Sequence, residues 1–244
     1  DAANEDDLKS LCAQTRVIVS TVGPYALYGS PLVKICAETG TDYCDLTGEV
    51  QWIARMIREH EATARKTGAR IVHCCGFDSI PSDLGTFFLQ QGAIARFGEP
   101  CQRVKLRVKS MRGGASGGTV ASMLNVVKES LNDPSILKVL ANPYSLCPGV
   151  EGIRQPDVRL PEYDKDAYSW VAPFIMSGIN SRVVLRSSLL NGTYGPDFQY
   201  DEAVMTGTGL KGRAVAAAIS GGIAGFLVSA ALPPSRWAGY RSSS

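Results

Sequence analysis

The sequence predicts an α/β fold, a doubly wound parallel sheet followed by an α+β domain. Three observations predict it. Up to Phe97, short β-branched runs alternate with amphipathic helical stretches, the pattern of strand-helix-strand units with right-handed crossovers. From Gln102 the chain changes to regular alternation of apolar and basic residues, a strand with one wet face. Beyond residue 206, Ala, Gly and Ser dominate, and no residue is charged from Ala214 to Leu232.

Residues 6–12 carry a short helical pattern. Residues 16–20 read RVIVS, a strand that runs into the turn Thr21-Val22-Gly23-Pro24-Tyr25. Ser30-Pro31 caps a helix through Leu32, Val33, Ile35 and Cys36 that stops at Gly40. Residues 42–46 form the next strand, and residues 49–66 place Trp52, Ile53, Met56 and Ile57 at helical spacing before Gly68. Residues 70–75 are a third strand. It leads into Gly76-Phe77-Asp78-Ser79-Ile80-Pro81-Ser82-Asp83, where Ser79 or Ser82 can cap the next helix and Pro81 suits its first turn. This alternation makes residues 1–97 the second half of a Rossmann-like domain. No GxGxxG or GxxGxxG turn follows a strand, and the chain opens on Asp1 without Met. The expectation is therefore a fragment lacking the N-terminal glycine-rich strand-turn-helix.

In residues 98–205, Val104, Leu106 and Val108 alternate with Lys105, Arg107 and Lys109, an antiparallel signature. A glycine-rich stretch from Met111 to Thr119 precedes an amphipathic helix through Val120, Met123, Leu124, Val127 and Leu131. Two readings of that stretch stay open: an anion site helped by Arg112, or a flexible crossover. Residues 132–160 read as loop with short helical pieces, and residues 167–179 and 181–189 as returning strands. Residues 206–244 are a hydrophobic helix and tail. The uncharged stretch 214–232 contains Gly221-x-x-x-Gly225; a buried helix is favoured, with a dimer interface and peripheral membrane contact kept open.

A formal charge of +2, with Lys and Arg scattered, leaves nucleic acid out as a partner. Seven cysteines without a CxxC pair, mostly in apolar strands or helices, fit reduced structural thiols. His73 and Cys74 are adjacent in a strand and point to opposite faces, and no second ligand pair follows, so no metal site is expected. There is no G-x-S-x-G elbow, and the two histidines, His60 and His73, lie on a helix and in a strand. Hydrolytic chemistry has no residues to run on.

VGPY at 22–25, DYCDLTGE at 42–49 and GFDSIPSDLG at 76–85, in that order, resemble the saccharopine dehydrogenase-like oxidoreductases, the family that includes the trans-acting enoyl reductases. The resemblance implies a Rossmann-like domain followed by a substrate and dimerisation domain. It implies NADP or NAD as cofactor, with Thr21, Val22, Gly23, Pro24 and Tyr25 lining it and Gly76, Phe77, Asp78 and Ser79 approaching its nicotinamide side. It also implies reduction of an enoyl or lipid-like substrate in lipid or glycolipid biosynthesis, a homodimer, and a cytoplasmic location with association at the inner face of the plasma membrane kept open. For the proton, Asp45, Glu49, Asp78 and Asp83 are the acids beside the crevice and Tyr25 is an alternative donor; Asp78 and Tyr25 are the catalytic candidates. A second class of function stays open: a catalytically silent Rossmann-like scaffold associated with lipid or membrane.

Overall fold

A computed structural model describes residues 4–111 and 117–231. Most of the glycine-rich stretch, including Arg112, and the tail from residue 232 lie outside the described residues.

Helix α1 (Glu5–Ala13) is capped by Asn4, whose side chain accepts from Asp6 N and Asp7 N. The first sheet holds β1 (Val17–Ser20), β2 (Asp42–Asp45) and β3 (Ile71–Val72), parallel and in that spatial order. Its connections are α2 (Tyr25–Tyr28), α3 (Ser30–Thr39) and α4 (Val50–Thr67). Gly40 and Gly68 end α3 and α4 with φ of 75° and 86°, a conformation that glycine adopts without strain. Ile18 and Tyr43 on one face of the sheet meet Val33, Cys36, Trp52, Ile53 and Met56, all buried. The predicted strands and helices of residues 16–67 are therefore where the pattern put them.

Two expectations for this half need correction. The third strand does not extend over 70–75. Cys74 takes φ of 62°, which turns the chain out of the ladder, and its N–H goes to Asp45 Oδ1 at 3.1 Å. The sheet is also not doubly wound among the described residues. Val19, Cys44 and Val72 stand in one row across it, and Val17, Val19 and Val72 are 50%, 63% and 51% exposed. Helix α5 (Ile80–Phe97) packs away from this face. It buries Ser82, Thr86, Gln90 and Ala93 and exposes Leu84, Phe87 and Phe88, because polar groups dock it: the Gln90 amide exchanges hydrogen bonds with the Cys101 backbone at 2.7 and 2.9 Å.

The second sheet has the order β4 (Arg103–Val108), β7 (Gln199–Gly207), β6 (Ser169–Pro173), β5 (Glu162–Asp164). The antiparallel expectation fails for β4, which pairs parallel with β7. Alternation reports which face is buried, not strand direction, and the long crossover through α6 (Gly117–Asn132), α7 (Ser135–Ala141) and α8 (Ser177–Asn191) brings β7 in alongside. The basic face is not wet either: Arg107 reaches Asp164 at 2.7 Å and Asp201 at 2.6 Å. The strand expected over 181–189 is part of α8. Ile179, Arg182, Val184 and Leu185 are buried there, and Gly192 closes the helix with φ of 70°. Packing against α5 and β7 overrides the β-branched preference of Val183 and Val184.

Helix α9 (Gly209–Ala231) docks its first turns on β6 and β7, burying Gly212 and Ala216. A Cβ at Gly212 would stand 2.3 Å from Gly207 O. Farther along, it touches α6 and is long and apolar enough to cross a membrane by length and composition, with 11% of its most apolar window buried. Among the described residues, therefore, most of this helix is exposed rather than buried. Its outward surface carries Ala214, Ala217, Ala218, Gly221, Gly222 and Gly225 together with Val215, Leu227 and Val228, which are 40%, 53% and 64% exposed.

Candidate active site

A cleft of about 1690 Å³ lies between the carboxyl ends of the first sheet and the second sheet with its helices. This is where ligands meet an open parallel sheet. One wall comes from the turn after β1, the loop after β2 and the loop after β3. The other comes from α6, α7, α9 and the β6–β7 edge.

The turn after β1 is built around Glu49, which is fully buried. Its Oε1 accepts from Tyr25 N at 2.7 Å and Ser122 Oγ at 2.9 Å, and its Oε2 from Ala26 N at 3.0 Å. The carboxylate thereby holds the amides at the start of α2 and ties α6 to them. The Tyr25 hydroxyl donates to Ser20 O at 3.0 Å and accepts from Leu46 N at 3.3 Å. Burial pushes this phenol up; the Leu46 N–H works against that, and the charges of Asp45 and Glu49 add to it. Below the turn, Asp45 accepts from His73 Nδ1 at 2.6 Å and from Thr47 N and Cys74 N, so His73 is satisfied within the fold.

A second buried network fixes the loop after β3. Ser79 Oγ does not cap α5; it donates to Asn180 Oδ1 at 2.8 Å. Asn180 Nδ2 donates to Asp78 O at 2.9 Å and to Glu202 Oε2 at 3.0 Å, while Tyr200 donates to Glu202 Oε1 at 2.6 Å. Burial, and then the Glu202 charge, push the Tyr200 phenol well up. Both Asn180 and Glu202 are at least 98% buried, which makes the loop one unit with α8 and β7.

The cleft brings together Thr21, Gly23, Tyr25, Gly76, Asp78 and Ser79 of the residues singled out from the sequence. It leaves out Val22, Pro24 and Phe77; Val22 is 62% and Phe77 88% exposed. Asp78 is exposed at the loop, and its carboxylate meets no partner among the described residues. Asp83 is withdrawn toward Ser187, with burial raising its carboxyl and the Ser187 hydroxyl lowering it. The residues the sequence did not single out for the site are Ser122, Asn180, Tyr200 and Glu202. The available signal was Asp201-Glu202, two acids inside an otherwise apolar strand.

The donor set suits one part of a dinucleotide and not another. The free amides that a phosphate would need at the start of α2 already hold Glu49. Along Thr21, Gly23 and Gly76 the cleft is lined by uncharged residues, which fits an uncharged ring. Gly23 is itself close-packed, since a Cβ there would lie 3.3 Å from the Tyr25 ring and 3.6 Å from Ser122 Oγ.

Residues 1–72 match the family described as the saccharopine dehydrogenase NADP binding domain, which bears out NADP or NAD as the cofactor expected. Over 232 residues the chain is 41% identical to a protein of Mycobacterium tuberculosis, covering 91% of this chain and 55% of that one. It is 37% identical over 238 residues to a trans-acting enoyl reductase of Mycobacterium leprae and 38% over 236 residues to one of Mycobacterium bovis, with 92% of this chain and 56% of each relative covered. The chain thus spans little more than half the length of these relatives. No solved structure matches it. The resemblance carried by the three motifs is therefore matched by similarity: residues 1–72 match the saccharopine dehydrogenase NADP binding domain, and more than nine tenths of the chain aligns with part of proteins named trans-acting enoyl reductase.

Proposed function

We propose that the protein is an NAD(P)-dependent oxidoreductase, a reductase of an enoyl or lipid-like substrate in lipid or glycolipid biosynthesis. The observation that carries this reading is the cleft itself, which Thr21, Gly23 and Gly76 line together with Asp78. Reducing an enoyl group takes a hydride at one alkene carbon and a proton at the other. The nicotinamide supplies the hydride when bound. The chain's own residues have the remaining work: Thr21, Gly23 and Gly76 would flank the ring, and α6, α7 and α9 would keep water from the reacting carbons with Met123, Val126, Leu137, Leu140, Ile223 and Leu227. The same apolar wall supports a lipid-like substrate. Asp78 is the better candidate for holding the proton, because the Tyr25 hydroxyl is committed to Ser20 O.

The test is oxidation of NADPH by the protein carrying this chain, with a 2-enoyl thioester as acceptor. Turnover is expected, and Asp78→Asn should lower it by roughly 10²-fold with cofactor affinity nearly intact. Bound NADPH with no turnover would sink the reductase reading, and an Asp78→Asn rate within twofold of the parent would remove Asp78 from it.

A second reading, a catalytically silent scaffold at a lipid or membrane surface, is favoured by the exposure of α9. Lys211 and Arg213 at its base suit anionic headgroups, and cytoplasmic placement at the inner face of the plasma membrane belongs with this reading. The outward Ala and Gly residues suit close helix packing in a homodimer, and exposed Leu210, Leu227 and Val228 on the same helix suit a bilayer. Vesicle flotation and sedimentation of the protein separate the two.

A further inference from the structure

We propose that the end of the cleft between α7 and α8 is an anion-binding site centred on the Arg182 guanidinium, which takes a carboxylate or phosphate group of the bound ligand. The proposal rests on the oxidoreductase reading for what enters the cleft, but not for the charge found there. Arg182 lines the cleft and is 8% exposed. Its Nε donates to Asn142 O and Ser145 Oγ, both at 3.2 Å, and its terminal nitrogens donate to the carbonyls of Gly178 and Leu140. All four acceptors are neutral, and among the described residues no carboxylate lies within ion-pair distance. A guanidinium has five N–H donors, so one hydrogen on each terminal nitrogen is left without an acceptor.

A buried charge without a counter-ion is costly, and burial does push the Arg182 pKa down, with the Asp157 charge working against it. Asp157 is itself paired with Arg159 at 2.7 Å. The contrast within the molecule is Arg107, also shielded from solvent, which has a carboxylate on each side. Exposed Arg154 lines the same cleft and meets no partner among the described residues. Carboxylates line the cleft on both sides, Glu49, Asp78 and Glu202 as well as Glu151, Asp157 and Glu162, so the pull on an anionic group comes from the unpaired donors of Arg182 itself. Planar carboxylate or phosphate oxygens match the two free N–H groups. Either an acid group on the substrate or a phosphate of the dinucleotide carries that chemistry.

The test is calorimetric titration of the full chain at constant ionic strength with decanoate and with methyl decanoate, which share an apolar body and differ in charge. Decanoate should bind at least roughly tenfold tighter, and Arg182→Gln should abolish the preference. Equal affinities, or no binding of decanoate, would overturn the site. The same titrations with NADP and NAD distinguish the sources: a preference for NADP lost in Arg182→Gln assigns the anion to the cofactor, and a decanoate preference lost alone assigns it to the substrate. If Arg182→Gln does not fold, because its ties to Leu140 and Asn142 are gone, the comparison of acid and ester on the parent chain decides. Tenfold selectivity for decanoate without NADPH turnover would end the reductase reading and leave this site standing.

Discussion

Glu49 shows how one side chain can replace a ligand inside a binding fold. Its carboxylate occupies the two amides at the start of α2 that would otherwise attract a phosphate, and it draws in Ser122 from α6. Removing it strands three donors at once. Glu49→Ala should therefore cost roughly 2–4 kcal/mol, whereas Ser122→Ala, which leaves the carboxylate two of its three bonds, should cost about 1 kcal/mol. Urea unfolding of the two variants checks this, and equal losses would mean that Glu49 is not the keystone of the turn. The sequence made Glu49 legible as an acid beside the crevice, but not as this anchor. Gly23 likewise was legible as a place of close approach, though part of what approaches is Tyr25 and Ser122.

At the scale of elements, the legible parts were those in which one local pattern decides the outcome. Apolar residues at helical spacing with a left-handed glycine at the end place α3 and α4, and RVIVS places β1. Misread elements were those decided by partners far along the chain: the parallel pairing of β4 and the helical state of residues 181–189. The bare face of the first sheet makes a prediction. Val19 is 63% exposed and Ile18, its neighbour on the opposite face, is 9% exposed. In the isolated chain, Val19→Thr should change stability by less than about 0.5 kcal/mol, while Ile18→Thr adds a buried hydroxyl to the packed face and should cost at least about 1–3 kcal/mol. A loss at Val19 as large as that at Ile18 would show that the face is covered in solution.

For the molecule as a whole, the second sheet is the support on which the cleft depends, and its weak point is acid. Adjacent residues of β7 serve two purposes: Asp201 faces the ion pairs with Arg103 and Arg107, and Glu202 faces Asn180 and hence the loop at Ser79. Asp164 closes the ion-pair network across the sheet. Burial raises its carboxyl, but Arg107 and the N–H groups of Ala167 and Asp166 outweigh that and hold it from the ordinary 3.8 down to about 2. A carboxyl depressed in the folded state contributes stability that is present above its unfolded pKa and lost as pH falls through the folded one, here between about pH 4 and 2. The loss is about 1–2 kcal/mol for this group. Asp83 acts in the opposite direction, since its raised carboxyl favours the protonated form and becomes less unfavourable as pH falls. The urea midpoint should therefore drop between pH 5 and 2.5, and the drop should be smaller in Asp164→Asn, which has no proton to gain at that position. Asp83→Asn should instead enlarge it, by removing the group whose burial becomes easier in acid. An Asp164→Asn protein that loses as much stability as its parent over the same interval would show that this network is not what acid breaks.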